Sequence, residues 1–214
     1  MKLYFARHGE SEANTQFIIS NHDLPHGLTD KGRRQAAELA RKLEGVPFAR
    51  IYSSPILRAV QTAEIVAREL APFALTGTQG GAGDEGFEIT DALREFDCGE
   101  WEGESLQPHW EDYLRLFQDW QAGQWDSRFP GGESLLDIRA RFVPFIEQIT
   151  REHGEADNLL LVSHGGTLLS VLPTVLTNVD HAFAYTHHLG NTDIIIVETR
   201  PQGMVCVSWC GIVF

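Results

Sequence analysis

Cysteine is scarce in this chain, and the few that occur are poorly placed for cross-links or metal binding. Its 214 residues include only Cys98, Cys206 and Cys210, without the paired spacings of a zinc site. If the last two lie on one extended strand, they are about 13 Å apart at roughly 3.3 Å per residue, which is too far for a disulfide. We therefore expect three buried, reduced thiols.

Basic charge and long apolar runs are also in short supply. Asp and Glu number 30 against 17 Lys and Arg, which gives a formal net charge of -13. A negative net charge of this size repels polyanions, which argues against nucleic acid or an anionic membrane surface as a partner. No uncharged run reaches membrane-spanning length, and the apolar segment within residues 1–6 is too short for a signal peptide. We therefore expect a cytoplasmic protein, in which any phosphate site is a local positive exception.

Hydrophobic periodicity indicates alternating strands and helices. Short apolar runs predict the strands, and apolar positions at helical spacing predict the helices between them. The predicted strands are residues 3–6, 50–53, 158–163, 193–197 and 204–209. The alternation favours a single α/β domain over residues 1–214: a three-layer sandwich with a mostly parallel central sheet flanked by helices, where the last two strands fit an antiparallel edge.

Capping residues and prolines mark the predicted helix boundaries. Ser134, with Asp137 three residues later, is typical of a helix start. Pro144 predicts a kink in the helix that begins there. Pro173 predicts a bend in another helix over residues 165–176.

The middle of the chain has a different composition. Residues 76–86 are Gly-rich and predict a surface loop, whereas residues 104–121 predict a helix. Four tryptophans crowd this region, namely Trp101, Trp110, Trp120 and Trp125. We interpret residues of about 76–130 as a helical cap insertion, in which the tryptophans most simply serve packing.

Ionisable side chains follow three of the predicted strands. Arg7 and His8 come directly after the first strand, Arg58 stands one turn into the helix after the second, and His164 follows the third. Neighbouring parallel strands would bring these groups to one sheet edge, where helix-start amides near Gly165 add donors. Forked guanidinium donors suit the oxygens of a phosphoryl group, and a neutral imidazole can attack its phosphorus. The pattern predicts a trap for a phosphoryl group.

Longer blocks of sequence surround these side chains. In chain order they include Arg7-His8-Gly9-Glu10-Ser11 with Asn14, Ser53-Ser54-Pro55 with Arg58-Ala59, Leu93-Arg94-Glu95-Phe96-Asp97-Cys98-Gly99, Pro130-Gly131-Gly132-Glu133-Ser134 and Ser163-His164-Gly165-Gly166. The ordered set resembles the histidine phosphatase superfamily, the phosphoglycerate mutase-like proteins, and spans nearly the whole chain. It is far more specific than a single Arg-His-Gly tripeptide.

This resemblance implies a catalytic set and a substrate-binding set. The catalytic set is His8 as nucleophile, Arg7, Arg58 and His164 as ligands of the phosphoryl group, and Glu95 as the proton donor. Other acidic residues near Glu95 could supply the proton, with Asp97 the next candidate after Glu95, followed by Asp91, Glu100, Glu102 and Glu104. The substrate-binding set is Asn14, Ser20 and the backbone of Gly165. The seven other histidines lack the spacing of a ligand cluster, so we expect no metal and no other cofactor. The expected partner is a small phosphorylated metabolite, and no oligomeric state is predicted.

Three functions are compatible with these residues. Residues 93–103 are similar to the hydrolase branches of the superfamily, which favours a phosphomonoester hydrolase with a phosphohistidine intermediate on His8. The alternative is a cofactor-dependent phosphoglycerate mutase, which we would expect to continue beyond Phe214 into a tail that closes the site against water. The third is a non-catalytic phosphate-binding module. Proteins of that kind typically lack a core residue, and none is missing here.

Overall fold

A computed structural model describes residues 1–22, 24–71 and 86–214 of the chain. Within these ranges, seven strands form one sheet. They are β1 (Lys2–Arg7), β2 (Phe48–Ser53), β3 (Glu88–Ile89), β4 (Asn158–Ser163), β5 (Ile194–Arg200), β6 (Gly203–Trp209) and β7 (Ile212–Val213). The five predicted strands are therefore confirmed, with small extensions. The predicted loop over residues 76–86 lies outside the described residues except for Gly86.

Helices connect the strands and cover the sheet. They are α1 (Glu12–Gln16), α2 (Asp30–Lys42), α3 (Leu57–Leu70), α4 (Trp110–Gln121), α5 (Leu135–Glu152), α6 (Gly165–Val171) and α7 (His181–Thr186). In the described segments, 3-10 turns also occur at Asp91–Leu93, Gly99–Trp101, Gln107–His109 and Leu172–Thr174. No helix of the described segments is long and apolar enough to cross a lipid bilayer.

The sheet has a parallel half and an antiparallel half. Its strand order is β3-β2-β4-β1-β5-β6-β7. Strands β3, β2, β4 and β1 pair in parallel, and β5, β6 and β7 continue the sheet with antiparallel pairs. This confirms the predicted α/β fold with an antiparallel edge, and it places the carboxyl ends of β2, β4 and β1 side by side.

Alternate residues of each central strand point into two separate cores, as the two-residue period of a strand requires. Leu3 and Phe5 of β1 lie in one core, which α5 and α6 cover. Tyr4 and Ala6 lie in the other, which α2 and α3 cover. Strand β4 repeats the pattern with Leu159 and Leu161 against Leu160 and Val162. The molecule therefore has the predicted three layers.

Helix α5 begins as predicted. The Ser134 hydroxyl accepts a hydrogen bond from the backbone of Asp137, whose carboxylate in turn accepts the Ser134 amide, which makes a capping box. The helix continues through Pro144 to Glu152, and the kink at that proline stays a prediction.

Two other helices are shorter than predicted. Helix α6 ends at Val171 and passes into a 3-10 turn, because Pro173 has no N–H for the next helical bond; the prediction of a helix to residue 176 was wrong. Helix α4 begins at Trp110 rather than at residue 104. The residues before it pair instead with an earlier segment, since the Ile19 amide donates to the Glu104 carbonyl at 2.9 Å.

The cysteines form no disulfide, and all three are free thiols. Cys98 and Cys206 are buried, as expected. Cys210 is only partly buried, because it lies in the tight turn between β6 and β7 with a φ of 49°. The expectation of three buried thiols was therefore wrong for Cys210.

Candidate active site

Adjacent strand ends bring the predicted groups together. In the β1–β4 ladder Arg7 is paired with Ser163, so the next residues, His8 and His164, are neighbours. The His8 amide donates to the Ser163 carbonyl at 3.0 Å, and the two imidazole rings have centroids 5.0 Å apart. The predicted convergence of His8 and His164 is a consequence of the parallel register.

Hydrogen bonds orient the His8 ring. Its Nδ1 lies 2.6 Å from the carbonyl oxygen of Gly9, and because a carbonyl can only accept, Nδ1 carries the proton. Its Nε2 is then an unprotonated acceptor, and it receives the Nε–H of Arg58 at 3.0 Å. Burial lowers the pKa of His8 well below 6.5, and the charges of Arg58 and Arg7 lower it further. The ring is neutral near pH 7, with its lone pair on Nε2.

Two glycines permit the close packing around these groups. A Cβ on Gly9 would lie 2.5 Å from the carbonyl oxygen of Gly32, and that backbone atom cannot move aside cheaply. A Cβ on Gly166 would lie 2.5 Å from the Phe96 ring and 3.0 Å from Oε1 of Glu95. Both positions exclude larger residues for steric reasons, which explains the glycines in the two histidine motifs.

The two arginines create positive potential in an otherwise acidic molecule. Arg58 is only 4% exposed, and its Nη1 donates to the Ser20 carbonyl at 2.5 Å. Burial lowers the pKa of Arg58 to about 10, so it remains charged at neutral pH. Arg7 donates from Nη1 to the Leu189 carbonyl at 2.7 Å, and burial lowers its pKa as well. Within the described residues neither arginine forms an ion pair with a carboxylate, so their positive charge remains available to an anion.

His164 lies next to His8 and is fully buried. Its Nε2 is 2.7 Å from the hydroxyl oxygen of Ser54, which follows β2. Its Nδ1 has no hydrogen-bond partner among the described residues, and the same holds for the buried Nε of Arg7. Burial lowers the pKa of His164 well below 6.5, and Arg58 contributes to that shift. Unpartnered buried polar atoms are rare and call for an explanation, which a bound oxyanion would provide.

Glu95 reaches the same place from the turn at Asp91–Leu93 and is fixed by the start of α6. Its Oε1 accepts the amides of Thr167 at 2.6 Å and Phe96 at 3.1 Å, and its Oε2 accepts the amide of Gly166 at 3.0 Å. Asp97, the alternative proton donor, instead accepts the Gly99 amide and contacts His22. Glu95 lines the cavity described below and Asp97 does not.

A cavity of about 320 Å³ opens over these groups. Its lining includes the predicted catalytic residues Arg7, His8, Arg58 and Glu95 and all three predicted substrate-binding residues, Asn14, Ser20 and Gly165. His164 is not part of the lining; it is fully buried, and its ring centroid lies 5.0 Å from that of His8. Seven of the eight predicted residues therefore share one cavity wall.

Several cavity residues had no distinct signal in the sequence. The apolar and aromatic part of the cavity lining includes Ile18, Leu106, Trp110, Tyr113, Phe117 and Leu169. In the sequence, the α4 members of this part of the lining have the helical spacing of ordinary core residues. Asn191 was also missed, although its side-chain amide donates to the His8 carbonyl at 3.1 Å and to the Asn14 side chain at 3.3 Å.

No group of three or more His, Cys, Asp or Glu side chains in the described part of the chain stands close enough to hold a metal ion. Arg7 and Arg58 contribute positive charge at this sheet edge. The arrangement combines an oriented neutral imidazole, two forked cations and a carboxylate around one cavity, which are the parts required for phosphoryl transfer to histidine.

Comparison with known proteins assigns the class. The sequence-family model of the histidine phosphatase superfamily, branch 1, matches residues 3–211 of this chain. An adenosylcobalamin/alpha-ribazole phosphatase of Salmonella typhimurium is 32% identical over 178 residues, covering 83% of this chain and 80% of that protein. A 2,3-bisphosphoglycerate-dependent phosphoglycerate mutase of Parvibaculum lavamentivorans is 30% identical, covering 79% and 77%. The chain belongs to the histidine phosphatase superfamily, and its relatives include both phosphatases and mutases.

Solved structures show the same fold. A mycobacterial glucosyl-3-phosphoglycerate phosphatase, solved with VO3, superposes with a TM-score of 0.80 over 99% of each chain at 22% sequence identity. The shared fold extends over the whole chain, so the sheet edge that carries His8 and His164 belongs to a common architecture.

Proposed function

We propose that this protein is a metal-independent phosphomonoester hydrolase that forms a phosphohistidine on His8. The observation that supports this most strongly is the orientation of the His8 ring. Nδ1 of His8 lies 2.6 Å from the Gly9 carbonyl oxygen and donates its proton to it. The lone pair on Nε2 is then free to act as a nucleophile at the cavity that His8 lines. The named phosphatases among the relatives support the same class of reaction.

In the first step His8 attacks the phosphorus of the ester. The Nε2–phosphorus bond forms as the bond to the leaving oxygen breaks, and Glu95 gives a proton to that oxygen. The Arg58 Nε–H, which contacts Nε2 at 3.0 Å in the free protein, turns to a phosphoryl oxygen. In the second step Glu95 takes a proton from water, and the water oxygen bonds to phosphorus as the Nε2–phosphorus bond breaks. Inorganic phosphate leaves, and His8 is again neutral.

The phosphoryl oxygens are held by Arg7, Arg58 and His164. The unpartnered Nε of Arg7 and Nδ1 of His164 are the buried groups that would gain a partner when phosphate binds. Charge that develops on the oxygens in the transition state is stabilised most where water is excluded and donors are already oriented. Asn14, Ser20 and the backbone of Gly165, which line the same cavity, contact the substrate beside these groups.

We assign the whole chain to one domain, with residues of about 76–130 as a cap insertion whose helix α4 covers the site. Tyr113 of this helix lines the cavity, which supports the assignment. A cavity of about 320 Å³ suits a small phosphorylated metabolite. Three free thiols are consistent with a cytoplasmic location.

The cavity lining favours hydrolase over mutase. Among the described residues that line it, Arg7 and Arg58 are the only lysine or arginine side chains. We assign both to binding the phosphoryl group at His8. Neither is then free to bind the carboxylate or the second phosphate of a bisphosphoglycerate. This argument separates the two reactions by the charge that each substrate carries.

Product analysis tests the proposal. Incubation with a panel of phosphomonoesters should release one inorganic phosphate per ester, and His8→Ala should abolish this release. With 3-phosphoglycerate, rapid formation of 2-phosphoglycerate without free phosphate would show the mutase reaction instead. Unchanged release by His8→Ala would remove His8 from the mechanism, and binding of phosphate without turnover of any ester would support a non-catalytic module.

A further inference from the structure

A second, apolar groove lies next to the catalytic cavity. Phe17, Leu106, Gln107 and Trp110 line it, and it encloses about 360 Å³. Leu106 and Trp110 also line the catalytic cavity, so the two spaces share a wall. The groove therefore adjoins the catalytic cavity at these two side chains.

The backbone holds Phe17 at this position in an uncommon conformation. Phe17 ends α1 with a φ of 55°, in the left-handed region that residues other than glycine rarely adopt. Its carbonyl accepts the Leu106 amide at 2.7 Å, and Ile18 and Ser105 form a bridge beside it. The result is an aromatic side chain that is 58% exposed at the groove edge. Such conformations persist where the surrounding structure fixes them, often next to functional sites.

The chemistry of the groove defines its ligand. No charged side chain is among the described residues that line it. Trp110 is 51% exposed, so both aromatic side chains of the groove, Phe17 and Trp110, are open to solvent. Exposed apolar surface that continues into a polar cavity is typical of a ligand-binding groove. The part of the ligand that lies here must be uncharged and apolar.

We infer that Phe17, Leu106 and Trp110 form a specificity subsite for an extended apolar or aromatic group on the alcohol of the ester. This inference rests on the proposed function, because the phosphate of the same molecule is taken to bind at His8. Substrates of this class are monoesters whose alcohol reaches beyond the catalytic cavity. Small or multiply charged esters would leave the groove empty and bind less tightly.

Binding of two phosphonates, which cannot be hydrolysed, tests the subsite directly. Ethylphosphonate fills only the catalytic cavity, whereas 2-(2-naphthyl)ethylphosphonate adds an aromatic group that reaches the groove. By calorimetry, the wild-type protein should bind the naphthyl compound at least tenfold more tightly. Phe17→Ala should reduce this preference about fivefold, and Phe17→Leu, which keeps an apolar side chain, should restore most of it.

Leu114→Ala is the matched control, because Leu114 lies on α4, is 41% exposed and lines neither space. It should leave the preference unchanged. Equal affinity of the wild-type protein for both phosphonates, or an unaltered preference in Phe17→Ala, would overturn the subsite. Hydrolysis of the corresponding phosphates is measured in parallel. A naphthyl preference in binding without release of phosphate would retain the subsite and refute the proposed hydrolase.

Discussion

Arg58→Lys keeps a positive charge beside His8 but removes the forked donor group. In the structure, Nε of Arg58 lies 3.0 Å from Nε2 of His8, while its Nη1 contacts the Ser20 carbonyl at 2.5 Å. A lysine ammonium is a single point donor and cannot make both contacts in this geometry. One oriented donor to developing charge contributes about 2.7–4 kcal/mol in the transition state. We therefore expect kcat/KM to fall about 100- to 1000-fold.

The loss should also depend on pH. Burial lowers the pKa of Arg58 to about 10, which leaves the guanidinium charged across the neutral range. Lysine starts from an ordinary pKa of about 10.4, and the same burial would lower it toward neutrality. The activity of Arg58→Lys should therefore decline further between pH 7 and pH 9, where the wild-type arginine keeps its proton.

Steady-state hydrolysis of an alkyl phosphate over this pH range measures both effects. Arg68→Lys is the control, because Arg68 lies on the same helix with its side chain 66% exposed and outside the cavity. Urea unfolding of both variants shows whether each is folded. If Arg58→Lys keeps kcat/KM within threefold of the wild-type value, the assigned role of the Arg58 fork is wrong.

Three further predictions concern the acid, the metal and the histidines. Glu95→Gln should slow hydrolysis of an alkyl phosphate about 10²- to 10⁴-fold, but much less for p-nitrophenyl phosphate, whose leaving group needs no proton; equal losses would contradict the proton-donor role. Hydrolysis should persist in EDTA, because Arg7 and Arg58 supply the positive charge, and complete reversible loss would refute this. The pKa values of His8 and His164 are lowered in the folded state, so below pH 6.5 the unfolded chain binds more protons. As the pH falls below 6.5, the free energy of unfolding should then decrease by up to about 1.4 kcal/mol per pH unit for each histidine. His164→Asn should make this slope shallower in urea titrations, and an unchanged slope would contradict the assignment.

The sequence predicted the framework of the fold because its signals are local. Strand β4 was predicted with its observed bounds, Asn158–Ser163, since the apolar run over residues 159–162 has the length of a strand and polar residues on both sides. The Ser134 cap was equally legible, because the capping box is formed by residues three apart. Helix ends were less predictable where distant segments compete. The sequence around Glu104 is compatible with a helix, yet its carbonyl accepts a hydrogen bond from the amide of Ile19, about 85 residues earlier in the chain.

The chemistry of the site was more predictable than its shape. His8 and Arg58 belong to recognisable sequence motifs, and each follows a predicted strand. Their proximity could therefore be predicted for strands that are neighbours in a parallel sheet. The cavity wall has no such signature, because Trp110 and Trp120 lie on one helix and differ only in their surroundings. Trp120 is fully buried, whereas Trp110 is half exposed at the cavity. Which tryptophan faces a ligand depends on packing between elements, and the local sequence does not encode it.

Rapid-quench labelling tests the central claim that His8 carries the phosphoryl group. The wild-type protein is mixed with a ³²P-labelled phosphomonoester, quenched in alkali, digested and sequenced. The account predicts a transient label that is stable in base and labile in acid, located on the peptide that contains His8 and absent from His8→Ala. Hydrolysis that proceeds at the wild-type rate with no label on His8, or with the label on another residue, would contradict it.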